Sequence, residues 1–296
     1  MSAIFALLAA LSNALFVTTQ HVASTSGRPA KASGLRLVGY LFHSPLWLFG
    51  WAAGLGAFVF QASALKSGQL SIVQALLVTE LVFGLVLRKL WIGQSIRPAA
   101  WWSAALTCAG LAAFVAIDEP QGGTPTPTAH AWISALAVWG GAAAIMALAA
   151  RWGSPTRRAA LYAAAAAIVW ALEAAFIKAA TETLTESGLK ALFTHWPVYA
   201  LAVGGIAGTI LVQAALHVGP LRVSQPLLVI VDPSVSVILS VWLFQEHYNH
   251  GPLATAAAVV AFVVMCVGVV ALTSTAPPTM EPVVTARGRG PSRGFP

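Results

Sequence analysis

LSIVQALLV at residues 70–78 returns as LRVSQPLLV at 221–229, a shift of 221 − 70 = 151 positions. A glycine stands two residues ahead of each copy, Gly68 and Gly219. The same shift over 54–91 also matches Gly54 with Gly205, Ala64 with Ala215, Leu65 with Leu216, Val86 with Val237 and Trp91 with Trp242. Eleven of these 38 positions are identical without a gap. Both copies lie in long apolar runs, so the chain reads as a duplicated membrane unit.

Composition agrees with that class. Hydrophobic residues make up 58% of the 296 and charged residues 8%, against about 25% charge in a soluble domain. The net charge of +7 comes from Arg and Lys in loops and tail. No basic face interleaved with aromatics accompanies it, so the chain is not read as a nucleic-acid binder. Cys108 and Cys266 both fall inside apolar runs, which argues against a disulfide framework. Residues 2–24 lack a basic leader segment and read as a retained first span.

A helical span needs about 20 apolar residues. Nine such stretches are found near 2–24, 46–65, 70–91, 98–118, 131–150, 158–181, 196–218, 222–245 and 252–273. Polar breaks fall at 25–45, 119–129, 151–157 and 182–195. The Pro- and Arg-containing stretch 275–296 reads as a disordered cytoplasmic tail. A tenth span or a surface helix at 33–45 is the alternative. Charge separates the two counts. With nine spans and the N-terminus outside, 13 basic residues are cytoplasmic and only Lys66, Lys178 and Lys190 are not. Ten spans would move Arg28, Lys31 and Arg36 across, giving 10 to 6. The positive-inside rule selects nine.

The fold expected is therefore an all-α polytopic membrane protein in two inverted repeats. Residues 1–118 would be the first repeat, 119–157 the linking fifth span with its loops, and 158–274 the second repeat. The repeat copies sit in spans three and eight, five spans apart, so they point in opposite directions. That arrangement suits alternating access.

Ionisable groups deep in a span are costly and tend to face a cavity or a partner. Glu80 in span three, Asp232 in span eight and Glu173 in span six are the candidates for binding a proton, a cation or a solute. Gln74 and Gln225 match in the repeat and can both donate and accept hydrogen bonds. Gln225 and Asp232 are seven apart and share a helix face, whereas the six residues from Gln74 to Glu80 place that pair further round the axis. Asn13 is the deep polar group of span one. Pro226 and Pro233 deprive the carbonyls of Arg222 and Val229 of their helical donors, which makes span eight a candidate hinge. Lys178 reads as a surface partner of Glu182 one turn on. Glu246, His247 and His250 read as a solvated loop, and no metal site or cofactor is expected. Trp170 reads as packing, with a cavity wall or gate as the alternative, and Gly50-x-x-x-Gly54 and Gly204-x-x-x-Gly208 as close helix contacts.

Residues Trp47 to Gly93 contain Trp47-x-x-Gly50, Gly54, Phe60-x-x-x-Ala64-Leu65 and Gly68-x-Leu70-x-x-x-Gln74-x-Leu76. This stretch resembles the drug/metabolite transporter superfamily (EamA-like), and within it the branch of NIPA-type magnesium transporters. The sixth span, AIVWALEAAFIKAAT at 167–181, is similar to the superfamily's repeat-opening helix. The resemblance covers about residues 4–273. It implies an ion-gradient-driven transporter of a small metabolite or drug-like solute, or a divalent-cation pathway. A lipid carrier or flippase, or a non-transporting envelope subunit, is the alternative from another class. The expected partners are the bilayer and the transported solute or cation, and a homodimer is compatible. The expected location is a bacterial inner membrane, with the C-terminus cytoplasmic. Gly-x-Ser-x-Gly, His-Glu-x-x-His and nucleotide-loop patterns are all missing from the sequence, so no catalytic residue is expected.

Overall fold

The computed structural model describes residues 1–25, 45–91, 93, 95–117, 123, 124, 126–219, 221–246 and 251–275. The tail from 276 and nearly all of the 33–45 segment lie outside the described residues, as do His247 and His250. Helices dominate, and no strand occurs among the described residues. Nine helical stretches there are long and apolar enough to cross a membrane. They coincide closely with the nine stretches read from the sequence.

The first two spans are α1 (Ser2–Thr25) and α2 (Pro45–Ser67). The third span is divided into α3 (Leu70–Leu77) and α4 (Glu80–Trp91), followed by α5 (Pro98–Ile117). The linking span consists of α6 (Ala129–Ala135), a π-helical turn (Leu136–Gly140) and α7 (Gly141–Ala149). Then come α8 (Pro155–Thr194), α9 (Pro197–Val218), α10 (Leu221–Trp242) and α11 (Pro252–Thr275). Five of these helices open on proline, whose missing N–H costs nothing in a first turn. Ser154 caps α8 by accepting from the Arg157 amide at 3.4 Å.

Two sequence expectations about these elements are revised. The third span was expected to be continuous, but it breaks at Val78 and Thr79. Around the break the amides reach back three residues instead of four: Val78 to Ala75 O (3.2 Å), Thr79 to Leu76 O (3.1 Å) and Leu81 to Val78 O (3.2 Å). The Thr79 hydroxyl also donates to Leu76 O at 2.7 Å, which holds the tightened turn. The polar stretch at 182–195 was expected to be a break. Helix α8 instead continues through it, interrupted at Gly188 with φ 78° and ψ 179°. Only glycine adopts that conformation readily. Helix α10 runs over Leu221–Trp242 as one span, as expected, with Pro226 and Pro233 inside it.

Helix packing is most extensive for α1 on α2, α8 on α9 and α5 on α11, with α8 also lying along α10. Glycine permits the closest of these approaches. A Cβ on Gly110 would sit 2.4 Å from the Met265 amide nitrogen, and one on Gly268 would sit 2.6 Å from the Thr107 nitrogen. The α5 and α11 backbones therefore touch. The repeat glycines have matched surroundings: Gly68 abuts Ser2 at the start of α1, and Gly219 abuts Pro155 and Ala159 at the start of α8. Helix α8 is the central element, with Ala163, Ala166, Ala167, Ala171 and Ala175 all fully buried. Large apolar side chains such as Leu55, Ile145, Val203 and Val260 point outward, as a surface bathed in hydrocarbon requires.

Candidate functional site

Five spans converge on a cavity of about 320 Å³ near their midpoints. Helix α1 contributes Ala9 and Asn13, and α2 contributes Gly54, Ala57, Phe58 and Gln61. The broken third span supplies Gln74, Leu77, Val78 and Glu80. Helix α8 supplies Trp170, Glu173, Ala174 and Ile177, and α10 supplies Leu228, Val229, Asp232 and Pro233.

The break at Val78–Thr79 explains how span three reaches the cavity twice. An unbroken helix would turn Gln74 and Glu80 to different sides, but α3 and α4 present both to the same void. Glu80 falls in the first turn of α4, where the helix dipole favours an acidic side chain. The Asn13 amide Nδ2 donates to Glu80 Oε2, joining α1 to the start of α4. Asp232 Oδ1 accepts from the Ser236 hydroxyl one turn on, at 3.3 Å. Glu173 has no hydrogen-bond partner among the described residues. Its Oε1 lies 3.3 Å from where a Cβ on Gly205 would stand, and the Trp170 indole nitrogen lies 2.8 Å from the corresponding point on Gly208. The small residues of α9 therefore seat two cavity-lining side chains of α8.

Among the described residues, three carboxyl groups and no Lys, Arg or His line this cavity. Of the expected site residues, Asn13, Gln74, Glu80, Glu173, Asp232 and Pro233 come together here. Gln225 and Pro226 do not line the cavity, which corrects the expectation that Gln225 contacts the solute beside Asp232. Sharing a helix face does not bring two residues to one depth. Seven residues are about 10 Å of helix axis, and Gln225 has interactions of its own. Trp170, read from the sequence as packing, is a cavity wall. Phe58 and Gln61 were not anticipated, since nothing distinguishes them from other span residues before α2 is placed.

A second void of about 230 Å³ lies where α2 ends and α3 begins, lined by Leu65, Lys66, Gly68, Gln69, Lys178, Glu182, Phe244 and Glu246 among others. Lys178 does not pair with Glu182 as expected. Its Nζ donates to Glu246 Oε1 at 2.6 Å and lies 4.6 Å from the centre of the Phe244 ring. Glu246 is only 2% exposed, not part of a solvated loop, and its Oε1 also accepts from the Leu70 amide at 3.2 Å. Glu246 Oε2 is buried without a partner among the described residues. Beside this pair, Trp132 packs on Phe176, Trp196 and Phe244 with ring centres 5.3, 5.0 and 6.4 Å apart. The pair was hidden in the sequence because its partners are 68 residues apart.

The apolar spans and the cavity at their midpoints define an integral, all-α polytopic membrane protein. The chain is 27% identical over 276 residues to an uncharacterized protein of Corynebacterium glutamicum, covering 93% of this chain and 95% of that protein. No family model and no solved structure matches the chain.

Proposed function

We propose that this protein is a secondary transporter that moves a small solute by alternating access, driven by an ion gradient. The observation that carries the reading is the cavity itself: an acid-lined void at mid-span, built from both halves of the chain. Polar groups at that depth are costly and are typical of solute and ion pathways. Spans one to four and six to nine would form the two rocking halves, with the linking span between them. The matched glycine contacts at the starts of α1 and α8 support an inverted repeat. The distribution of basic residues, 13 to 3, supports an N-terminus outside and a C-terminus in the cytoplasm. Glu80 and Asp232 would exchange the coupling proton, while Asn13 orients Glu80, and Pro233, which has no N–H, leaves the Val229 carbonyl without its helical donor.

The test is solute-induced proton flux in proteoliposomes across a panel of small cations, anions and neutral solutes. The wild type is expected to couple at least one of them to the pH gradient. Glu80→Gln and Asp232→Asn are expected to lose accumulation while keeping solute exchange. Unchanged, gradient-driven accumulation by both variants would remove the coupling role.

A further inference from the structure

We propose that the solute is an organic cation carrying an N–H-bearing ammonium group, held by Glu173 and Gln74 against the Trp170 indole. This inference rests on the transporter reading above and names the substrate class of the same cavity.

The field of the cavity is one-signed. Three carboxyl groups face it with no basic side chain among its described lining residues, so in their ionised form they attract cations and repel anions. Two of the acids are already engaged within the protein, Glu80 by Asn13 and Asp232 by Ser236. Glu173 alone of the three has no partner among the described residues, which leaves its oxygens for a ligand.

Gln74 is the independent observation. Its side chain lines the cavity, is 3% exposed, and has no hydrogen-bond partner among the described residues. The carboxamide opens onto the cavity, where its donor and acceptor are both left to a ligand. The amide oxygen accepts from an ammonium N–H, whereas a quaternary ammonium would offer it nothing. Trp170 stands three residues before Glu173, on the same face of α8. An indole beside a carboxylate makes an ammonium site through combined ion pairing and cation–π attraction.

A bare metal ion fits less well. No group of three His, Cys, Asp or Glu side chains among the described residues is placed to hold one. The acids come from three different helices, α4, α8 and α10, so a cation with several N–H groups or an extended body can meet more than one of them. The volume of about 320 Å³ is at the small end of ligand cavities.

The experiment is equilibrium binding to the full-length protein in lipid nanodiscs. The probes are radiolabelled 2-phenylethylamine, tetraethylammonium and benzoate, with Mg²⁺ in large excess as competitor. Saturable phenylethylamine binding is expected, weaker tetraethylammonium binding, no benzoate binding and no displacement by Mg²⁺. Glu173→Gln should weaken phenylethylamine binding at least about tenfold, and Gln74→Ala and Trp170→Ala should weaken it several-fold. Glu173→Asp, which keeps the charge, should retain most of the affinity, and thermal unfolding of each variant reports its fold. The proposal is overturned if no ammonium probe binds saturably, if Glu173→Gln binds as the wild type does, if Glu173→Asp loses as much as Glu173→Gln, or if Mg²⁺ displaces the amine. Proteoliposome flux separates the two levels. Gradient-driven uptake of benzoate or a neutral solute, abolished in Glu80→Gln, would keep the transporter and discard the ammonium. Tight amine binding without flux would do the reverse.

Discussion

Asn13 and Glu80 are 67 residues apart in sequence, and their hydrogen bond joins the first span to the second half of the third. Hydrogen bonds to carboxylates contribute about 1.5–3 kcal/mol, and this one also fixes which way the Glu80 carboxyl faces. Asn13→Ala is expected to slow proton-coupled flux about tenfold, equivalent to roughly 1.4 kcal/mol, with thermal unfolding shifted by only a few degrees. Asn13→Asp would set two acids against each other and should slow flux further. A fluorescent pH reporter inside proteoliposomes reads both. These residues were legible in the sequence because an ionisable or amide side chain in an apolar span is expensive. Phe58 and Gln61 were not legible, since their role depends on which face α2 turns inward. Glu246 was misread for a related reason: local spacing suggested a solvated loop, and only the tertiary fold brings Lys178 to it.

At the level of elements, the apolar runs located the nine span-length helical stretches among the described residues, and length with hydrophobicity sufficed to find them. The break in span three was not foreseen. Neither proline nor glycine occurs between Leu70 and Glu80, so the usual markers of a helix break are missing, and Thr79 alone carries the local signal through its hydroxyl bond to Leu76. The prolines of α10, which do mark a break by rule, leave that helix continuous. The α5–α11 contact gives a sharp steric prediction. Gly110→Ala places a methyl 2.4 Å from a backbone nitrogen, and the two helices must move apart. Overpacking of this kind costs about 1–3 kcal/mol, to be read as a lower unfolding temperature in detergent. Gly140→Ala meets nothing within 4 Å and is expected to be neutral or slightly stabilising, since alanine is the better helix former.

For the whole molecule, the Lys178–Glu246 pair fastens three separate parts of the chain: the start of α3, the body of α8 and the segment after α10. Removing one member of a buried pair strands the other, at a cost of about 3–5 kcal/mol. Lys178→Met and Glu246→Met should each lower the unfolding temperature markedly. The double variant Lys178→Met with Glu246→Met should recover much of the loss, because neither charge is then left alone. Additive losses in the double variant would mean that the pair is not coupled as its geometry implies.

The two voids have neighbours in common along the chain. Ile177 borders the central one and Lys178 the other, and on α2 Gln61 and Leu65 divide in the same way. One residue is about 1.5 Å of helix and four residues about 6 Å, so the two linings follow closely on one another along both helices, and Leu65, 1% exposed, stands on the side of the second void. Packing between linings so close along the chain depends on individual side chains. Shortening one side chain, as in Leu65→Ala, is expected to let protons slip across a resting vesicle membrane while leaving the bundle assembled.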